Sequence, residues 1–219
     1  MISPLLANIY LHYVLDEWFE HEVKPRLEGR ASLIRFADDF VIVCEHESDA
    51  RRVLEVLPKR FSKFGLTLHP AKTRLVRFVR PRHAASQETA LDEEPGTFDL
   101  LGFTHYWARS RRGYWVVKRK TARTRLRRAI QAVAEWCRRN LHEPVKTQHR
   151  KLCEKLRGHF GYYGITGNSW SLSQFREEVT KSWRKWLSRR NRDRPMTWAL
   201  FQRLLERYSL PVARIMHNV

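Results

Sequence analysis

Two short apolar runs, Leu33-Ile34 and Val41-Ile42-Val43-Cys44, flank the acidic dipeptide Asp38-Asp39. Branched and aromatic residues on either side of a compact polar break read as two short buried strands joined by a tight turn. The chain therefore needs a fold with an antiparallel strand pair, and that pair puts two like charges at its tip. Buried or half-buried like charges are costly unless a cation neutralises them. Hard carboxylate oxygens suit Mg²⁺, which takes one or two carboxylates together with substrate phosphates. Asp38 and Asp39 are thus candidate metal ligands for phosphoryl or nucleotidyl transfer. Asp also favours ordinary hairpin turns, and the dipeptide alone does not separate the two readings.

The 219 residues suffice for one or two domains with a core. The formal charge is +19, and its distribution is uneven. Residues 1–100 carry 14 basic and 16 acidic side chains, whereas residues 101–219 carry 28 and 7, a net +21. Seven of the eight Trp residues lie in that cationic half. Basic charge interleaved with aromatic rings suits a phosphate backbone, the alternative being a solvated basic surface. Cys44, Cys137 and Cys153 are odd in number and show no ligand spacing, which suggests a reducing compartment and no zinc site. No apolar run is long enough for a membrane helix, and no signal peptide is evident, so a cytoplasmic location is expected.

Ser3 and Pro4 open an apolar helical pattern over residues 4–20, with Leu5, Leu6, Ile9, Tyr13 and Val14 on one face. So abrupt a start suggests the C-terminal part of something longer. Ala50, Val53, Leu54, Leu57, Phe61 and Phe64 predict a helix over 49–64, kinked at Pro58 and stopped by Gly65. Strands are expected at 66–69, 73–79, 98–106 and 114–119, the last two forming a hairpin around Arg109–Gly113. Residues 80–97 lack periodicity and read as a mobile loop. From Thr121 the pattern becomes helical. Leu126 to Trp136, Leu152 to Phe160, Leu172 to Leu187 and Trp198 to Leu205 mark four helices whose apolar stripes are core. The expected class is α+β, with a domain over 1–120 and an all-α domain over 121–219.

In order along the chain, these pieces resemble the reverse transcriptases of group II introns. Ser3-Pro4-Leu5-Leu6-Ala7-Asn8-Ile9-Tyr10 is similar to the helix after the family's Pro-Gln-Gly turn. Phe36-Ala37-Asp38-Asp39 resembles its catalytic turn, and Gly65-Leu66-Thr67-Leu68-His69-Pro70-Ala71-Lys72-Thr73 its next palm motif. Phe98-Asp99-Leu100-Leu101-Gly102-Phe103 is similar to the primer-grip hairpin. The segments Leu156–Gly164 and Trp183–Arg190 resemble the maturase-specific thumb, or X domain. The resemblance covers essentially the whole chain. It implies a partial palm, an antiparallel sheet with helices, followed by an all-α thumb. It also implies Mg²⁺ as cofactor and RNA as partner, both intron RNA and a template-primer duplex. The resemblance begins partway through the palm, so the fingers and the motif bearing the first catalytic Asp are expected from a separate N-terminal half. The resemblance leads us to expect no DNA-binding or endonuclease segment after Val219.

The same resemblance implies that Asp38 is the principal metal ligand and Asp39 its partner. Asp16, Asp49, Asp92 and Asp99 lie on no apolar strand suited to replace the missing bridging Asp. Lys72 matches the lysine near the incoming nucleotide's phosphates; a surface lysine beside a turn is the alternative. Leu101, Gly102 and Phe103 match the primer grip, where Gly allows close backbone approach; a strand bulge is the alternative. Tyr162 and Tyr163 could stack on nucleobases or pack in a core. Arg123, Arg125, Arg127, Arg128, Arg138 and Arg139 crowd one helix, and Arg184, Lys185, Arg189 and Arg190 another, as candidate RNA contacts. Three functions remain open at this point. One is a polymerase that works once its N-terminal half is supplied. The others are an RNA-binding splicing-assistance module and a decayed fragment.

Overall fold

The computed structural model describes residues 3–81, 96–190 and 195–218. Most of the expected 80–97 loop lies outside the described residues, as does Asp92. The class is α+β, and the chain forms two compact units. One holds Met1–Leu101 and Arg109–Trp115; the other holds Gly102–Ala108 and Val116–Val219. Among the described residues no helix is long and apolar enough to cross a membrane.

The first unit opens with α1 (Ser3–Leu11), which continues as wider π-type helix over His12–Glu17 and Phe19–Val23. Its buried stripe is Val14, Leu15, Trp18, Phe19 and Val23. Leu5, Leu6, Ile9 and Tyr13, expected on the packed face, are instead exposed, because the core begins only at Val14. Strands β1 (Ala31–Phe36) and β2 (Asp39–Cys44) pair antiparallel, with Phe36 opposite Asp39. Side chains alternate across this hairpin. Ala31, Leu33, Phe40, Ile42 and Cys44 face the core, while Ile34, Phe36 and Val43 lie on the exposed face. The strands are therefore half-buried, not the fully buried pair that their apolar content suggested.

Helix α2 (Glu47–Lys63) completes this core with Val53, Leu57 and Phe61. It ends as Gly65 predicts. Gly65 has φ +67°, its N–H donates to Ser62 O, and the Leu66 N–H donates to Phe61 O, which satisfies the last carbonyls. Asp49, buried in the first turn of α2, accepts from the Glu28 and Gly29 N–H groups and pins the loop before β1. Residues 66–69 and 73–79 are not strands. Alternating polarity does not make a strand without a ladder partner.

A second sheet has the order β3-β4-β5, from Phe98–Leu100, Phe103–Arg109 and Trp115–Thr121. The single strand expected over 98–106 is broken by Leu101 (φ +52°) and Gly102 (φ +79°). Two successive left-handed residues make a tight hairpin connection. The hairpin around Arg109–Gly113 forms, closed by the Ser110 N–H donating to Tyr114 O.

The second unit contains the four expected helices: α3 (Arg123–Arg139), α4 (Val145–Tyr163), α5 (Ser169–Ser188) and α6 (Trp198–Arg207). Leu126, Val133, Leu152, Leu156, Phe160, Leu172, Phe175, Val179 and Phe201 fill its core. Trp183 is the largest fully buried side chain there, whereas Trp186 is only partly buried. A polar knot lies inside. The Gln148 amide donates to the Asn140, Leu141 and Glu143 carbonyls, and its oxygen accepts from the Trp183 indole N–H at 2.8 Å. One side chain thus satisfies carbonyls of the connection between α3 and α4.

Candidate functional site

In the first unit the acidic pair stands at the hairpin tip. Ala37 and Asp38 form the two-residue connection, and Asp39 is already the first residue of β2. Both carboxylates are exposed. Ala37 has φ +53°, a left-handed conformation that a non-glycine residue adopts at a cost. Behind the turn, the Arg35 guanidinium donates Nε to Asp16 Oδ1 (2.7 Å) and Nη2 to Asp16 Oδ2 (2.6 Å). Its Nη1 donates to Asn8 Oδ1 and to Ala37 O, both at 3.0 Å. The Asp16 carboxyl is held below the usual carboxylate range, first by the Arg35 hydrogen bonds and against its partial burial.

The other acids near the turn in sequence are engaged. Asp16 is committed to Arg35, and Asp49 to the Gly29 loop. Among the described residues no group of three His, Cys, Asp or Glu side chains could hold a metal ion. Asp38 and Asp39 place two exposed carboxylates at one hairpin tip. A two-metal cage requires a further anionic ligand. Lys72 is exposed on the turn after Leu68, its backbone N–H donated to His69 O at 3.0 Å.

In the second unit the structure joins two motifs that lie 60 residues apart in the sequence. A Cβ on Gly102 would stand 2.9 Å from the Tyr163 hydroxyl, so that position needs glycine for both space and backbone. Phe103 stacks on Tyr162 (centroids 5.8 Å apart, planes at 15°) and meets Tyr163 edge-on at 5.2 Å. Tyr163 is half-buried against the helical core and is a packing residue, its hydroxyl pushed up by burial. Tyr162 is 55% exposed and presents a ring at the surface. Leu101 belongs to the other unit.

His159 continues this aromatic group, 4.6 Å from Tyr163 and stacked on Phe175 at 3.8 Å. Its Nε2 is buried without a hydrogen-bond partner among the described residues, and burial pushes the imidazole from 6.5 down to about 4. The unfolded chain takes up this proton below about pH 6.5, whereas the folded chain resists until about 4. Stability should therefore be complete above 6.5 and fall as pH drops through that window. His159→Phe keeps a ring against Phe175 and removes the unpartnered nitrogen. Denaturant unfolding between pH 4 and 7 should show the acid loss in the parent chain and a flatter profile in the variant.

The basic side chains divide by environment. Arg123, Arg125, Arg127 and Arg128 are exposed on the first half of α3. Arg138 and Arg139 both bind Glu135 at 2.7 Å, and these bonds hold its carboxyl down to about 2, so their charge is partly spent within the helix. Arg184 donates to Met196 O and lies 4.2 Å over the Trp198 ring, a structural placement. Lys185 and Arg189 flank the Trp186 ring at 5.7 and 4.8 Å, and Arg190 donates to His142 O. Sequence reasoning missed Arg35. The signal was available, because Arg35 falls on the inward side of a strand that alternates with Leu33, where an arginine needs an acid.

No curated protein matches the chain. Residues 1–105 match the family described as reverse transcriptase (RNA-dependent DNA polymerase), which supports that family for this portion of the chain.

Proposed function

We propose that the chain is a portion of a group II intron RNA-directed DNA polymerase and maturase. Its first unit presents the catalytic turn, and its second binds intron RNA or a template-primer duplex. The observation that carries this reading is the exposed Asp38-Asp39 pair on a strained hairpin tip, inside the stretch that matches reverse transcriptases. Mg²⁺ would be held by Asp38 and Asp39, supplying charge neutralisation for a triphosphate. Lys72 is proposed for the leaving phosphates, and Gly102 with Phe103 for the primer backbone.

A second reading, an RNA-binding module that assists splicing without DNA synthesis, is favoured because no third ligating side chain joins the pair among the described residues. Primer extension on an RNA template separates the two. The 219-residue chain alone should give no product with Mg²⁺, because removing one electrostatic contribution at a reacting centre typically lowers the rate by about 10²–10³, and no third ligand joins the pair among the described residues. Adding a polypeptide with the family's upstream palm should restore synthesis, and Asp38→Asn should abolish it. Failure to restore synthesis while RNA binding persists would leave the second reading standing. Product from the chain alone would overturn the incomplete-site argument.

A further inference from the structure

The hairpin tip is held by a side chain with no place in the acid-pair chemistry. Arg35 uses four hydrogen bonds from three nitrogens. Two reach the Asp16 carboxylate as a fork, one reaches Asn8, and one reaches the carbonyl of Ala37. The Arg35 side chain is only 13% exposed and Asp16 27%, so water competes weakly for these bonds. Asp16 and Asn8 come from the helical run of the first unit, Asp16 from its π-type segment. That segment widens the helix immediately before the buried Trp18–Phe19 pair, and such widenings recur where a helix must aim a functional side chain.

The target of the arrangement is informative. Ala37 has φ +53°, a backbone conformation that alanine rarely keeps unless its surroundings hold it. The Ala37 carbonyl is the group through which that conformation can be held from behind, and it is the one Arg35 binds. Asp38 follows directly on Ala37. Rotation at Ala37 would redirect the Asp38 carboxylate and break its relation to Asp39, which is fixed by pairing with Phe36.

We infer that Arg35 is the positioning residue of the Asp38-Asp39 turn. It holds Ala37 left-handed through the Ala37 carbonyl, and Asp16 and Asn8 hold Arg35 in turn. The functional weight of this device rests on the reading of the turn as a cation site. The device itself is a statement about backbone geometry. Lysine cannot replace Arg35, because it lacks the planar fork that serves Asp16 and Ala37 at once.

The test uses the full 219-residue chain, isotope-labelled, by NMR, with Mn²⁺ as the probe ion. The reporters are the Ala37 amide–Hα coupling and carbonyl shift, which follow φ and the carbonyl hydrogen bond. The Val53, Leu57 and Phe61 signals serve as the control for the core. Arg35→Lys and Asp16→Asn should each move the Ala37 reporters while the core signals stay in place. Each should also raise the Mn²⁺ concentration that broadens the Asp38 and Asp39 amides by about tenfold, or about 1.4 kcal/mol. Unchanged Ala37 reporters in both variants would overturn the proposal. Should Arg35→Lys lose its core signals, Asn8→Ala decides, since Asn8 is an exposed partner. A smaller shift of Ala37 in the same direction supports the clamp, and no shift overturns it. Absence of Mn²⁺ broadening in the parent chain would count against the cation-site reading, while the Ala37 reporters still judge the clamp.

Discussion

Replacing Arg123, Arg125, Arg127 and Arg128 together with Gln should weaken RNA binding by about 10²-fold at physiological salt. The estimate follows from counterion release. Each phosphate neutralised on a single strand contributes about 0.7 to the slope of log K against log salt, so four contacts contribute about 2.8. At about 0.15 M salt that slope corresponds to roughly two decades of affinity. These four residues are chosen because they are exposed at the start of α3. Arg138 and Arg139, bound to Glu135, should contribute less, and the pair Arg138→Gln and Arg139→Gln should leave most of the affinity intact. The measurement is a titration of a structured RNA at several salt concentrations. The fourfold variant should show both lower affinity and a flatter salt slope. If affinity falls while the slope stays as steep, the lost contacts are not to phosphates. If neither changes, the α3 face is a solvated surface and RNA binds elsewhere.

Trp183→Ala should be the most damaging single substitution in the helical unit. The Trp183 side chain is fully buried and meets Phe201 edge-on at 5.6 Å. Truncating a core Trp or Phe to Ala typically costs about 3–5 kcal/mol. Here the Gln148 oxygen would also lose its 2.8 Å donor inside the core, which adds about 1–3 kcal/mol. Against a domain stability of about 5–15 kcal/mol, the variant should be largely unfolded or near its limit. Trp183→Phe keeps the ring volume in part and removes the indole N–H, so it should lose less. Denaturant unfolding followed by far-UV circular dichroism distinguishes them. A Trp183→Ala chain as stable as the parent would show that Gln148 does not need the indole. RNA affinity should fall with the unfolded fraction, in contrast to the α3 variant, which should bind less while remaining folded.

Much of this architecture is legible from local pattern. The α2 stripe with its Gly65 stop, the four helices after Thr121, and the hairpin about Asp38-Asp39 all follow from periodicity and turn chemistry. These features depend on residues close in the chain, and close neighbours decide helix faces and caps. The charge asymmetry likewise needs no structure. The Arg cluster of α3 and the placement of aromatic residues in the basic half can be read directly.

Long-range partnership is what the chain order hides. Leu5, Leu6, Ile9 and Tyr13 form a good helical stripe, yet they are exposed because the core they would face starts at Val14. The segments 66–69 and 73–79 alternate like strands but are irregular, since a strand exists only through its neighbour's hydrogen bonds. Leu101 is apolar and Gly102 has no side chain, so both could continue a strand, and only their left-handed backbone makes them a turn. Tyr162 and Tyr163 look equivalent in sequence. Packing buries one against the helical core and leaves the other exposed on Phe103. Asp38 and Asp39 are legible as a polar turn that carries two like charges. That Arg35 grips Ala37 from behind, with Asp16 and Asn8 as its anchors, was decided only when helix and hairpin were brought together, because hydrogen bonds over 19 and 27 residues leave no local pattern to read.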